Sequence, residues 1–428
     1  MKLLVSHIFK HIYLLNTMKK IMFLLPALLI AFLTGCSQPN TVQHSNTEDS
    51  KIIPAAERID AYLSLLKNKR IAVFANNTSM VGDVHLVDTL SRLGIDIKKI
   101  FAPEHGFRGT ADAGEKVSNS KDPATGIPVI SLYGKKRKPN AEDLSDVDVI
   151  VFDIQDVGVR FFTYISSLED LSESAIEFNK PLIVLDRPNP NGNYVDGPVR
   201  KDGYRSFLGM QKVPVVYGMT IGEYAMMLKG EKWIDSSIRK KSGNDLDLRV
   251  IPCANYTHSS RYDLPVKPSP NLPDMASVYL YPSTCFFEGT VLSEGRGTDR
   301  PFQMFGHPKL PDSLKSFTPT SREGAKSPKL VNQLCYGWDL GGSNEEVLKK
   351  VDARIQLKWL KTAYSLFPGK DTFFINNGKN FDRLAGNSEL QKQIKNGTDE
   401  NNIRASWKPE LDKFKKIRKK YLLYKDFE

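Results

Sequence analysis

Between Arg70 and Arg187 the chain repeats one unit: a short, almost wholly apolar run, a polar cluster at its end, then a stretch with helical spacing. The runs are Ile71–Ala75, Ile95–Phe101, Pro128–Tyr133, Asp148–Ile154 and Pro181–Leu185. A strand with no polar face must be buried on both sides, and helices between successive strands supply the cover. The pattern therefore predicts an α/β domain built on a doubly wound parallel sheet. Leu86, Leu90 and Leu93 place a helix over 85–93, stopped by Gly94. Ile165, Leu168, Ala175 and Ile176 place another over 163–179, with Thr163 as its cap. A further helix is expected over 219–230 and a further strand over 246–252. Ligands of such sheets bind beyond the carboxyl ends of the strands. Those ends read Asn76-Asn77, Glu104-His105, Asp153-Ile154-Gln155-Asp156 and Asp186-Arg187-Pro188-Asn189, and every one is polar.

The Pro-rich stretch Leu264–Pro273 can continue neither a helix nor a central strand. It divides a first domain, 55–274, from a second, 275–428. The second opens with two short apolar pieces, Tyr279–Tyr281 and Cys285–Phe287, and a polar loop turning on Gly289, Gly295, Gly297 and Gly306. The loop carries Glu288, Glu294, Arg296 and Arg300. Glycine on both sides of Arg296 permits positive φ and lets backbone come close to a ligand. Helices are expected over 345–359 and 409–423.

Met18-Lys19-Lys20, the apolar run Ile21–Leu33 and the closing Leu33-Thr34-Gly35-Cys36 have the order of a secretory signal. The closing tetrad resembles a bacterial lipobox, with Cys36 as the lipidated residue. On this reading 1–35 is leader and signal peptide, with Met1 or Met18 as the start, and 36–54 is a flexible tether. An exported lipoprotein, membrane-anchored and facing the periplasm, is expected. The formal charge is +11; four lysines fall in 1–35, leaving +7, much of it in Lys413, Lys415, Lys416, Arg418, Lys419 and Lys420. An exported protein rarely meets nucleic acid, so this run reads as a solvated helix face near anionic lipid or wall polymer.

Absent motifs narrow the chemistry. There is no Gly-x-Gly-x-x-Gly after the first strand and no phosphate-binding loop, so no nucleotide cofactor is indicated. No Gly-x-Ser-x-Gly elbow, Cys-x-x-Cys pair or His-Glu-x-x-His occurs, which disfavours a serine hydrolase and a zinc site. Glu104, framed by Pro103 and Gly106 at a strand end, is the leading general acid. Its neighbour His105 is a second proton carrier or an orienting group, and Arg108 lies four residues on. Asp153, Gln155, Asp156 and Arg160 suit sugar hydroxyls, which need many directed hydrogen bonds. Asp186, Arg187 and Asn189 are held rigid by prolines, and Arg187 and Arg296 suit a bidentate carboxylate.

Together Ala102-Pro103-Glu104-His105-Gly106-Phe107-Arg108-Gly109, Phe152-Asp153-Ile154-Gln155-Asp156-Val157-Gly158-Val159-Arg160, Asp186-Arg187-Pro188-Asn189-Pro190, Pro268-Ser269-Pro270-Asn271 and Glu288-Gly289-Thr290 with Ser293-Glu294-Gly295-Arg296-Gly297-Thr298 resemble the bacterial exo-β-N-acetylmuramidase family (NamZ type) over residues 55–428. The resemblance implies a Rossmann-like first domain, a smaller α+β second domain and an active site in the cleft between them. It implies a glycoside hydrolase that releases N-acetylmuramic acid from the non-reducing end of peptidoglycan fragments, without cofactor or metal. Glu104 is then the acid, with Glu294 or Tyr281 as the second catalytic group. Asn76, Arg108, Asp153, Gln155, Arg160, Asp186, Arg187, Asn189, Glu288 and Arg296 are expected to hold substrate. Two other readings compete: a non-catalytic muropeptide-capture lipoprotein, and a metal-dependent amidase or deacetylase using Asp153 and Asp156.

Overall fold

The computed structural model describes residues 51–104, 106–108 and 119–428; the leader, Cys36 and His105 lie outside them. Strand β1 (Arg70–Ala75) is followed by a small hairpin of β2 (Met80–Val81) and β3 (Val84–His85), then β4 (Asp96–Ala102), β5 (Ser120–Lys121) and β6 (Pro128–Ser131). β7 (Val149–Asp153), β8 (Leu182–Leu185) and β9 (Leu248–Ile251) come next. Seven of these form one sheet in the order β5-β6-β4-β1-β7-β8-β9. Every pair in it is parallel except the edge pair β5–β6. The chain starts at the centre, winds outward through β4 and β6, and then crosses to β7 on the far side of β1, which is the doubly wound order expected.

The two faces of β1 show why the strands lack a polar side. Ile71, Val73 and Ala75 pack with Leu86, Val87 and Leu90 on one face. Ala72 and Phe74 join Phe152, Ile165 and Leu168 on the other, where Phe74 stacks on Phe152 at 5.1 Å. Burying a side chain of that size contributes about 1.5–3 kcal/mol. The helix at 86–92 ends one residue before Leu93, which is exposed rather than inward. Thr163 stands at the N-cap of the helix Tyr164–Glu177 but does not cap it. Its backbone is left-handed (φ 77) and its side chain makes no capping bond.

In the second half, Tyr279–Tyr281 belongs to a helix, Met275–Thr284, which passes into a 3₁₀ turn, Cys285–Gly289. A three-stranded antiparallel sheet follows, β10 (Met304–His307), β11 (Lys315–Phe317) and β12 (Cys335–Asp339), with β12 central. The single helix expected over 345–359 is two, Asn344–Val351 and Leu357–Leu366. Asp352 (φ 50) and Ala353 (φ 46) turn left-handed between them. The last long helix runs Glu400–Arg418, nine residues ahead of the expected start, and carries Pro409 inside it. Asp399 caps it, and Ile403, Trp407, Leu411 and Phe414 form its buried stripe, which outweighs the one backbone bond that proline removes. Arg418 is not part of a solvated face: it is buried, bound to Asp426 at 2.7 and 2.8 Å and to the Gly218 carbonyl at 2.8 Å. Cys253, Cys285 and Cys335 are buried free thiols.

Candidate active site

A cavity of about 470 Å³ opens beyond the carboxyl ends of β4 and β6. Glu104 reaches it two residues past the end of β4, and Tyr133 two residues past the end of β6. The Tyr133 hydroxyl donates to Glu104 Oε1 at 2.8 Å. Burial and the Glu104 carboxylate push the Tyr133 phenol well up, so it stays a donor at physiological pH. Phe161, Phe162, Thr163 and Tyr164 form the adjoining wall, and Phe207 and Leu208 extend it. This wall is the start of the helix Tyr164–Glu177, so a helix N-terminus with its partial positive charge faces the cavity.

The opposite wall comes from the second half of the chain, through Tyr281, Glu288, Arg296 and Phe302. Arg296 lies over the Phe302 ring at 5.1 Å and bridges two carboxylates, Glu288 at 2.6 Å and Glu294 at 3.3 Å. Lys329 closes the cluster behind it. Its ammonium pairs with Glu294 at 2.8 Å and donates to the carbonyls of Phe287, Thr290 and Leu292. Burial alone would raise the Glu294 carboxyl, but Lys329 and Arg296 outweigh it and hold the group below the usual range. Glu294 does not line the cavity; it stands behind Arg296. The Tyr281 ring packs edge-on against Phe161, Phe162 and Phe302, and burial pushes its phenol far above the ordinary value. Gly295 and Gly297 do take positive φ, 81 and 80. Their close neighbours are protein: a Cβ would lie 2.9 Å from the Arg300 carbonyl in one case and 2.6 Å from the Thr320 carbonyl in the other.

Two family models match the chain, exo-beta-N-acetylmuramidase NamZ N-terminal over residues 71–276 and C-terminal over 279–424. The chain belongs to this family. It is 38% identical over 426 residues to the peptidoglycan beta-N-acetylmuramidase NamZ of Bacillus subtilis, covering 92% of this chain and 99% of that protein. Two solved structures of DUF1343 family proteins from Bacteroides fragilis share its fold. One is 45% identical with a TM-score of 0.79, covering 88% of this chain and all of the other. The second is 29% identical with a TM-score of 0.72, covering 87% and 99%.

In this NamZ family chain the remaining sequence-derived residues lie away from the cavity. Asp153 and Arg187 form a buried bidentate pair at 2.6 and 2.8 Å. Asn76 is buried, donating to Tyr164 at 2.9 Å and accepting from Thr78. Gln155 donates to the carbonyls of Asp156 and Pro188, and Asn189 to that of Met219. Asp156 accepts from Tyr217 and from the Gly158 amide; burial still pushes it up to about 6. Arg160 is fully buried and donates to the carbonyls of Pro198, Val213 and Leu384, and burial lowers it to about 9. Asp186 accepts from Thr220, Gly222 and Tyr424. Arg108 turns to Asp122, at 2.7 Å. Of the pair on which a metal-dependent amidase would rest, Asp153 has both oxygens on Arg187 and Asp156 has Oδ2 on Tyr217 and Gly158, while Asp156 Oδ1 is buried without a hydrogen-bond partner among the described residues. Among the described residues no group of three or more His, Cys, Asp or Glu is placed to hold a metal. The sequence reading passed over Tyr133, Arg137, Phe207 and Lys329. Tyr133 carried a signal, since it follows a strand end as Glu104 does; the others came from loops with no apolar rhythm.

Proposed function

We propose that this chain is an exo-β-N-acetylmuramidase, a glycoside hydrolase that releases N-acetylmuramic acid from the non-reducing end of peptidoglycan fragments in wall turnover or recycling. In a chain of this family, the observation that carries the reading is two carboxylates, Glu104 and Glu288, facing one cavity walled by aromatic rings. Glycosidic cleavage needs an acid for the leaving oxygen and a second group for the oxocarbenium-like centre. Glu104, oriented by Tyr133, is the acid. Glu288 is the second group, held in place by Arg296. Glu294 acts one step back, fixing Arg296 from behind. Tyr281 supplies the floor rather than a nucleophile, because burial opposes ionisation of its phenol. The aromatic rings receive the apolar face of the sugar, and their exclusion of water strengthens every charge interaction inside.

Cleavage of the disaccharide N-acetylmuramic acid–N-acetylglucosamine tests this, with products followed by mass spectrometry. Free N-acetylmuramic acid should appear with wild-type protein and not with Glu104→Gln. Saturable binding without product would favour a capture protein instead. The address is proposed on the same footing: an exported lipoprotein anchored through Cys36 and facing the periplasm, supported by the lipobox-like Leu33-Thr34-Gly35-Cys36. Labelling of cells with a clickable fatty acid should mark the wild-type protein and not Cys36→Ala; equal labelling would end that assignment.

A further inference from the structure

Among the described residues two cationic side chains line the cavity, Arg296 and Arg137. Arg296 is spent: two carboxylates hold it at 2.6 and 3.3 Å. Arg137 has no carboxylate partner within bonding distance among the described residues. Its guanidinium carbon sits over the Phe207 ring, 4.5 Å from the centroid, and both residues line the cavity. The ring seats the group, and its N–H groups make no hydrogen bond or ion pair among the described residues. It sits on the loop that leaves β6, four residues beyond Tyr133, whose phenol Glu104 pushes up and Arg137 draws down. The cavity thus has an acid and an unpaired cation either side of one tyrosine.

Resting on the muramidase reading above, we infer that Arg137 is the specificity residue that reads the lactyl carboxylate of N-acetylmuramic acid. That carboxylate is what separates this sugar from N-acetylglucosamine, and a guanidinium seated over an aromatic ring with its N–H groups free can meet it bidentately. The sequence pointed to Arg187 and Arg296 for this role, but Arg187 is closed on Asp153 and Arg296 on two glutamates.

The test uses the full chain and three chromogenic β-glycosides: the muramide, its lactyl methyl ester and the N-acetylglucosaminide. Wild type should favour the acid over the ester by about 30-fold in kcat/KM, the value of a lost charge-assisted contact of about 2 kcal/mol. Arg137→Met should bring that ratio near one, chiefly through a raised KM for the muramide, with the loss on the ester and the N-acetylglucosaminide much the smaller. A merely structural role would lower all three substrates alike, and that result, or an unchanged ratio, overturns the assignment. If wild type cleaves nothing, the muramidase reading fails, and calorimetry with free N-acetylmuramic acid and N-acetylglucosamine decides the subsite. Tighter wild-type binding of the acid sugar, lost in Arg137→Met, supports Arg137 in a binding protein; equal binding of the two sugars overturns it.

Discussion

The strand ends of this sheet divide into two kinds. At β1, β7 and β8 the polar residues close on one another: Asp153 on Arg187, Asn76 on Tyr164, Asp186 on Thr220 and Tyr424. At β4 and β6, Glu104 and Tyr133 point into a cavity of about 470 Å³. The crevice beside β1, where the chain reverses its direction of winding, is where a ligand would be sought in a doubly wound fold. Here that crevice is filled by internal pairs and the cavity lies to one side. A polar strand end marks a site only where its donors and acceptors are left over after the protein has used its own share.

The largest effect that separates the two kinds should come from Glu104. Glu104→Gln keeps an acceptor for Tyr133 but cannot donate a proton to the leaving oxygen. Activity on the disaccharide should fall by about 10²–10⁴-fold, the usual worth of general acid catalysis, with the unfolding midpoint unchanged. The opposite pattern is expected of Asp153→Asn. It leaves Arg187 charged and buried without its partner, which costs roughly 3–5 kcal/mol in denaturant unfolding. The folded fraction should retain near-normal turnover. Normal stability with lost activity at Asp153 would collapse the distinction.

How much of this was readable from the chain differs between the same two classes. The sheet was legible because strands buried on both faces leave a one-dimensional signal, as Val149–Phe152 does. The polar ends were legible as a group, and Glu104, Tyr281, Glu288 and Arg296 do line the cavity. What the chain could not disclose was pairing: Asp153 and Arg187 are 34 residues apart, and Arg160 meets Leu384 across 224. Arg137 was invisible for the converse reason, since being unpaired is a property of the fold and not of any local motif. Boundaries failed where left-handed residues intervene, as at Asp352 and Ala353, or where a packed stripe overrides a proline, as at Pro409.

A smaller effect should come from Lys329, which belongs to both classes at once because it is saturated yet supports the open wall. Lys329→Met strips three carbonyls and Glu294 of a donor. Loss of about 1–3 kcal/mol is expected, the cost of leaving buried groups unsatisfied. Arg296 would lose its fixed seat, so activity should fall by about tenfold as well. Activity unchanged alongside the stability loss would show that the cluster is scaffolding only.

The finest test concerns charge in the saturated region. Burial pushes the Asp186 carboxyl up to about 7, against the lowering effect of Tyr424, Thr220 and the Gly222 amide, while the Glu223 charge nearby adds to the rise. His258 and Tyr424 also face this group of acids, through Glu223 and Asp186 respectively. A carboxyl whose folded pKa lies above its unfolded value binds a proton more tightly when folded, so its contribution to stability declines as pH rises from about 4 to about 7. Asp186→Asn removes that titration and keeps the geometry: the amide oxygen still accepts from the Gly222 and Arg187 amides, and its NH₂ can donate to Thr220 and Tyr424. Asp156, raised to about 6, and Glu169, raised to about 7, slope the same way in both proteins and cancel in the difference. The midpoint of Asp186→Asn relative to wild type should therefore improve steadily between pH 4 and 7 and level off above. A difference that stays flat across that range would mean Asp186 is ionised in the folded protein, held as an anion by its four donors, and that the saturated ends carry more charge than their burial suggests.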